Sequence, residues 1–442
     1  MNNLVSKLPL PARVRDMDRQ QFETLFTSGA FVITTGFMFL NSIMLARALG
    51  DGGRGEVAAV FGNTVVLGWA FQIGVPNAVA YFAKDADNRR LIMSSWAMTL
   101  FVTLPMALAL TPFFLWQMTG DAFNGPDGTQ LRVFYVMFII LQMLNGPFTS
   151  AIFYLRGIGN TFRFNVLLAL PQFLITFGYF CLFITGTMTV TRALTSTFLM
   201  MCLGWGYALW STGSLPGRGF DRELFKEVRN WGLRAWVGNL SFVMSNRIDQ
   251  LVLVAFVSSE DLGLYAVAAP VATISGAVAR GIAQSLLPFI RNAASDEERL
   301  ARIRKSVVWV AAASAGILIV IAVSAQLLVP LVFGSAFADS VLPLLLLLPG
   351  AFAADVTQVY NVALQSFNKP EDSSKAQIAA ALVTVAGLIV LLPPYGIVGA
   401  AITTTAAYWV ALLVSAYYWN VHRAKVKRGE ATGHTEQIEQ PA

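Results

Sequence analysis

The chain has 442 residues, 56% of them hydrophobic and only 13% charged, with a formal net charge of +6. A soluble protein carries about 25% charged residues, so this composition excludes a water-soluble globular domain and leaves apolar surface that only lipid can cover. Two cysteines inside apolar runs (Cys181, Cys202) and two histidines near the C-terminus (His422, His434) offer no metal-ligand spacing and no basis for a structural disulfide.

Residues 1–25 are mostly polar, and the apolar run that follows is too long for the core of a cleavable signal peptide, so it is expected to stay in the membrane. Apolar length set against polar breaks predicts helices at 26–48, 56–83, 91–118, 131–155, 163–186 and 190–211. A second set follows at 231–257, 262–290, 306–330, 340–367, 375–394 and 397–421. Each run can cross a hydrocarbon core of about 30 Å. An even number of crossings places both termini on one side.

Lys and Arg alternate sharply between successive loops. Arg13, Arg15 and Arg19, then Lys84, Arg89 and Arg90, then Arg156 and Arg163, fall on one side, as do the group from Arg218 to Arg229, the group from Arg291 to Lys305, and Arg423 to Arg428. The other side holds Arg47, Arg54, Arg132 and Arg192 at helix ends, with Asp121, Asp127, Glu260, Asp261 and Asp339 in its loops. The positive-inside rule then makes both termini cytoplasmic. The basic balance is a matter of membrane orientation and gives no support for nucleic-acid binding.

The halves read as copies. Gly55-Glu56-Val57-Ala58-Ala59-Val60 aligns with Gly263-Leu264-Tyr265-Ala266-Val267-Ala268, and Leu155-Arg156-Gly157-Ile158-Gly159-Asn160 aligns with Leu364-Gln365-Ser366-Phe367-Asn368-Lys369 at nearly the same offset. The expected organisation is a cytoplasmic segment 1–25, an N-lobe 26–211, a cytoplasmic linker 212–230, a C-lobe 231–421 and a disordered cytoplasmic tail 422–442. Part of the linker, 221–230, has the composition of a short helix lying at the membrane surface. The fold class is an all-α integral membrane protein of about 12 transmembrane helices in two pseudo-symmetric six-helix bundles, a common transporter plan that holds substrate between the lobes.

Charges inside the spans are few, and each costs at least about 2.5 to 3.5 kcal/mol at mid-bilayer. They are Arg234, Arg247 and Asp249 in the seventh helix, Arg280 in the eighth and Asp355 in the tenth. Asn239, Asn246 and Gln250 fall within roughly 20° of one line on the seventh helix, with Arg247 and Asp249 on either side. This polar stripe is expected to face a neighbouring helix or the interlobe cleft, because lipid satisfies none of it. For Arg247 and Asp249, a structural ion pair and a role toward substrate or a coupling ion are both open. Arg234, near a helix end, is expected to snorkel to the interface.

Several stretches resemble the polysaccharide-transporter branch of the multidrug/oligosaccharidyl-lipid/polysaccharide (MOP) exporter superfamily, which contains O-antigen and exopolysaccharide flippases. They are Leu45-Ala46-Arg47-Ala48-Leu49-Gly50, Gly53-Arg54-Gly55-Glu56-Val57-Ala58 and Gly74-Val75-Pro76-Asn77-Ala78 in the first half. In the second they are Arg247-Ile248-Asp249-Gln250-Leu251, Leu262-Gly263-Leu264-Tyr265-Ala266-Val267-Ala268 and Tyr395-Gly396-Ile397-Val398-Gly399-Ala400-Ala401. The resemblance implies a non-enzymatic flippase that moves a polyprenyl-diphosphate-linked oligosaccharide across the bacterial inner membrane by alternating access. It serves surface polysaccharide synthesis, such as lipopolysaccharide O-antigen, capsule or exopolysaccharide. A polysaccharide polymerase or ligase is the partner the family analogy offers. No cofactor or metal is expected, and a coupling proton or sodium ion stays open.

A diphosphate suits the intramembrane set, which is net positive. Arg247 and Arg280 are the first candidates for its headgroup, with Arg47 third, because a guanidinium fork holds phosphate oxygens bidentately. Asn239, Asn246 and Gln250 complete the candidate substrate surface, and Asp249 and Asp355 would hold the arginines or bind a coupling cation. The alternative reading is an organic-cation antiporter of the multidrug and toxin extrusion type, in whose cleft acids should outnumber bases. A glycosyltransferase is excluded by the short external loops, the longest running from Thr119 to Gln130.

Overall fold

A computed structural model describes residues 19–217, 219–277, 279–280, 282, 295–367 and 370–428. Helices make up almost all of it, and no strand occurs among the described residues. The first helix, α1 (Arg19–Val57), carries one crossing, bends at Gly50 and begins the next. Gly50 has φ 70°, a left-handed conformation that glycine adopts without a Cβ penalty. The second crossing continues through a π-helical turn (Ala58–Gly62) and α2 (Asn63–Phe71), breaks at residues 72–74, and resumes as α3 (Val75–Phe82) with Pro76 in its first turn.

Prolines punctuate the next two crossings in the same way. Helix α4 (Asn88–Met98) passes through a π-helical turn (Thr99–Thr103) into α5 (Leu104–Ala109) and α6 (Thr111–Gln117), each short piece opening with a proline. Helices α7 (Gly128–Met143) and α8 (Asn145–Gly157) meet at Leu144, two residues before Gly146-Pro147. The missing N–H of each proline is tolerated in a first turn, where it has no helical partner. Uninterrupted helices α9 (Thr161–Ile184) and α10 (Val190–Ser211) complete the first half, capped by the side chains of Asn160 and Thr189.

The second half opens with α11 (Arg222–Phe256), whose cap Asp221 accepts from the amides of Glu223 and Leu224. The stretch expected to lie on the membrane surface is therefore the first turns of a 35-residue helix that runs on into the seventh crossing. Helix α12 (Ser259–Ala272) follows after a two-residue turn, α13 (Asp296–Phe333) and α14 (Val341–Ser366) flank a 3₁₀ segment, and α15 (Pro370–Lys427) makes the last two crossings with a bend at Gly396. The end of the predicted eighth helix and the tail beyond 428 lie outside the described residues.

Among the described residues, eight helical runs are long and apolar enough to cross a membrane. Two of them, Val32–Phe71 and Glu371–Val426, span 40 and 56 residues, room for two crossings each at about 20 residues per crossing. Helix α11, with its polar stripe, is not among the eight, and the predicted eighth crossing is described only in part. The chain is a multi-pass membrane protein. Its outer surface agrees: Phe173, Phe177 and Phe180 form an exposed apolar stripe on α9, as do Val320, Val323 and Leu327 on α13, where Val323 is 81% exposed. Such rows of bare apolar side chains are stable only against lipid. Inside, one large core runs from α1 through α15, with Tyr135, Tyr179 and Tyr265 among its largest fully buried side chains.

The helix ends form two rims. One, here the basic end, carries Arg89, Arg90, Arg156, Arg222, Arg304 and Arg423; the other, the acidic end, carries Asp121, Asp127, Glu260 and Asp261. In a chain whose Cys181 and Cys202 are replaced by serine, an impermeant maleimide applied to intact cells is expected to label Asp127→Cys and to reach Glu227→Cys only after permeabilisation. The opposite pattern would invert the orientation assigned from charge.

Candidate functional site

The two halves meet at the acidic end through a contact that only glycine permits. A Cβ added at Gly55 would overlap the carbonyl oxygen of Ser259 and lie 3.0 Å from the Gly263 amide nitrogen. One added at Gly263 would overlap the carbonyl oxygen of Asp51 and lie 3.1 Å from the Gly55 amide nitrogen. Each glycine thus fits against the backbone beside the other, on α1 and α12. Gly55 and Gly263 are equivalent positions of the internal repeat, as are Asp51 and Ser259, so the seam carries the repeat's pseudo-two-fold relation.

Side chains reinforce the seam. Arg47 on α1 donates from Nε to the Val332 carbonyl oxygen at 2.7 Å and from a terminal nitrogen to that of Leu331, so its cation sits on the C-terminal turn of α13. That is where a helix dipole favours positive charge. Asp121 accepts from the Ser259 amide and hydroxyl at 3.2 and 3.3 Å, and Phe39 packs edge-on against Phe333. Arg54, partly buried, reaches the Ala266 carbonyl oxygen. At the start of α12, burial and then the neighbouring Glu260 raise the Asp261 carboxyl above its ordinary value, and the Ser258 hydroxyl partly offsets this.

The first half buries a chain of amides. Gln117 donates to the Leu251 carbonyl oxygen of α11 at 2.7 Å and to Asn63 at 3.3 Å, while Asn63 donates to the Tyr135 hydroxyl at 3.1 Å and Tyr135 donates to Gln117. A second group joins Gln72, Asn145, Gln142 and Thr149 around the break in the second crossing. At that break Ile73 has φ 48°, a rare conformation for a β-branched residue. The gap leaves the Ala70 carbonyl oxygen without its helical partner, and the Trp236 indole of α11 donates to it at 2.9 Å.

The second half buries two carboxylates. Asp249 on α11, 5% exposed, accepts from the Tyr265 hydroxyl of α12 at 2.6 Å, from the Thr404 hydroxyl of α15 at 3.2 Å, and from the amide of Gln250 at 2.8 Å. Asp355 on α14, 3% exposed, accepts from the Ser314 hydroxyl of α13 at 2.8 Å. Its other oxygen converges with the Arg280 guanidinium over Gly276: a Cβ there would lie 3.3 Å from the Asp355 oxygen and 3.2 Å from an Arg280 nitrogen. Asp355 is buried while Arg280 is exposed, so the pair runs from the core of this half to its surface.

Comparison with solved structures identifies this architecture. An inward-facing multidrug resistance MATE family transporter of the MOP superfamily superposes with a TM-score of 0.72 at 16% identity, covering 90% of this chain and 96% of that one. The lipid II flippase MurJ in an inward closed conformation gives 0.73 at 11% identity, covering 90% and 87%. The chain shares the fold of these two proteins. Residues 151–342 match the family described as polysaccharide biosynthesis protein. A probable low-salt glycan biosynthesis flippase, Agl15 of Haloferax volcanii, is 22% identical over 402 residues, which is 88% of this chain and 81% of that protein.

Within this fold the candidates read from sequence separate. Arg280, beyond the end of α12, and Asp355 of α14 come together over Gly276. Asp249 is held by hydroxyls and a backbone amide, and the tyrosine and threonine that hold it, Tyr265 and Thr404, were not among the candidates. Arg47 lies at the acidic seam with its guanidinium taken up by two carbonyls. Gln250 is half-buried beside Asp249. The side chains of Asn239, Asn246 and Arg247 lie outside the described residues. No cluster of metal-ligating side chains occurs among the described residues.

Two substitutions test this geometry. Gly55→Leu should force α1 and α12 apart, disfavouring the closed seam by about 1–3 kcal/mol as an overpacked core does; spin labels at Asp127 and Ser335 should then report longer separations than in the native protein. Tyr265→Phe should remove one donor from buried Asp249 and lower stability by roughly 1–3 kcal/mol, read as a lower thermal midpoint in detergent, with Tyr395→Phe on the exposed surface as the neutral control.

Proposed function

We propose that this protein flips a polyprenyl-diphosphate-linked oligosaccharide from the cytoplasmic to the outer leaflet of a bacterial inner membrane by alternating access, with no covalent step. The observation that carries the proposal is the exposed Arg280 guanidinium, braced over Gly276 by buried Asp355. A cation kept within the spanning region at this expense matches an anionic group that must pass through it, and its fork suits a diphosphate. The glycan flippase relative and the polysaccharide biosynthesis match over 151–342 support the same substrate class.

In this reading the basic end faces the cytoplasm, both termini with it, and the glycine seam closes the opposite end. Substrate enters from the cytoplasmic leaflet, its diphosphate engages Arg280, and opening of the seam exposes it to the outer leaflet. Asp249, ringed by Tyr265 and Thr404, is the group we assign to any coupling proton or sodium ion, and a polymerase or ligase would take up the flipped product. The organic-cation antiporter reading has less support: Asp249 and Asp355 are both buried and already hydrogen-bonded, which leaves neither carboxylate bare for a bulky cation.

Reconstituted in liposomes, the protein is expected to move a fluorescent polyprenyl-diphosphate oligosaccharide between leaflets, and Arg280→Ala to slow this roughly 10- to 100-fold, the worth of one charge-assisted hydrogen bond at about 1.5–3 kcal/mol. Export of organic cations without lipid flipping would overturn the proposal in favour of the antiporter.

A further inference from the structure

A groove of about 980 Å³ opens at the basic end of the second half, between α13, α14 and α15. Its volume is at the upper end of the roughly 300–1,000 Å³ typical of small-molecule sites. It lies apart from the Arg280 cluster and the acidic seam, and the transport reading makes no use of it.

Helix register orders its walls by depth. On α13, residues 297, 301, 304, 305, 308 and 309 share one face by the i, i+3, i+4 rule, and on α15 residues 419, 423 and 426 share another. These helices run in opposite directions at this rim: α13 enters the membrane here and α15 leaves it. Arg304 and Lys305 therefore stand level with Arg423, each four or five residues, or about 6–8 Å, above the level of Trp309 and Trp419. Three cations ring the mouth, and two indoles with the Tyr360 ring form the deeper wall. Below them Val308 and Trp309 are 60% and 63% exposed on the lipid-facing surface of α13.

The neighbouring acids are engaged elsewhere. Glu298 pairs with Arg302 at 2.6 Å, and Asp372 pairs with Lys375 and His422, both at 2.7 Å. Glu297, exposed at the outermost turn, is the one acid lining the groove among the described residues, against three bases. Trp419 is fixed in place, packed against Tyr360 and Phe367, and Arg299 stacks over Phe367 at 4.5 Å from its centroid. The groove thus has Trp419 as a fixed aromatic wall and Trp309 exposed on α13, under an unneutralised cationic rim at headgroup height.

We propose that this groove binds an anionic phospholipid of the leaflet facing the basic end, its phosphate held by Arg304, Lys305 and Arg423 and its acyl chains lying along Val308 and Trp309. A basic pocket between helix ends at an interface has the chemistry that recognises anionic headgroups, and the aromatic wall matches the position of interfacial Trp and Tyr. A zwitterionic lipid would leave the excess positive charge uncompensated.

The test compares the native protein with an Arg304→Gln/Lys305→Gln/Arg423→Gln variant and with a variant that removes equal charge from the same rim, Arg222→Gln/Lys226→Gln/Arg229→Gln. Thermal midpoints in detergent are followed while phosphatidylglycerol or phosphatidylcholine is titrated in. Phosphatidylglycerol should raise the native midpoint and phosphatidylcholine should not. The half-saturating phosphatidylglycerol concentration should rise on the order of a hundredfold in the groove variant, and less than threefold in the equal-charge variant, given that each cation near an anionic surface contributes about a factor of five. If the triple variant does not fold, Arg423→Gln alone should show about a fivefold rise. Equal responses of the two triple variants, or equal stabilisation by both lipids, would overturn the proposal. So would native mass spectrometry showing that the groove-dependent adduct is a polyprenyl diphosphate.

Discussion

Everything at the acidic end depends on two backbones touching where no side chain fits. Helices normally pack with axes 8–10 Å apart because side chains intervene; at Gly55 and Gly263 the carbonyl of the facing turn occupies the volume a Cβ would need. Small residues at an interface are how membrane helices approach closely enough for dispersion and polar backbone contacts to hold them. A contact of this type is strong while complete and is lost within a small displacement, since attraction between atoms falls steeply with a gap of half an ångström to one. It therefore suits a seam with two states, shut or open, better than one that yields by degrees. Arg47 adds to the same behaviour, because its two carbonyl partners belong to the last turn of a helix in the other half and can only be reached when that turn is close.

The repeat explains why the seam is reciprocal. Each half supplies one glycine and one facing carbonyl, so one sequence pattern, used twice, builds both sides of the contact. The polar interiors do not follow that rule. The first half is knitted by neutral amides, Asn63, Gln117 and Tyr135 in one group and Gln72, Gln142 and Asn145 in another, while the second half holds Asp249, Asp355 and Arg280. Neutral networks fix geometry without attracting counter-ions. Buried carboxylates and a braced guanidinium keep charge inside a low-dielectric wall, where its effect on a passing ion is largest. The division gives the first half the character of a neutral frame and leaves these three charges in the second.

Most of the architecture was legible in the sequence because lipid imposes one simple requirement, about 20 apolar residues per crossing with polar breaks between. Prolines are a weaker guide: Pro76, Pro105 and Pro147 stand near the starts of new helical pieces, whereas Pro171 and Pro349 lie inside continuous helices. Two features escaped for a physical reason. Residues 221–230 look like a surface helix by composition, yet nothing between Arg222 and Phe256 carries a helix-stopping signal that outweighs continuation, and burial of Val228 against the first half rewards it. The partners of Asp249 escaped because Tyr265 and Thr404 come from 16 and 155 residues away. Polar residues inside a span reveal that a partner exists, but its identity is a fact of tertiary packing.

The internal repeat also encodes the closing contact. Equivalent glycines in a two-fold arrangement must either lie far from the axis or meet across it, and Gly55 and Gly263 open the same motif in each half, at the turn between successive crossings. Turns at one rim of a two-lobed bundle are the points nearest the opposite lobe when that rim is closed. A small residue repeated at such a turn, followed in both copies by a bulkier one, thus predicts the closing contact from symmetry alone. The same logic separates Arg47 from Arg280. The first sits beside the repeated turn, where closure needs bonds between halves; the second lies within one half, exposed and braced by an acid of that same half. Only a charge of the second kind stays in position through both states of a carrier.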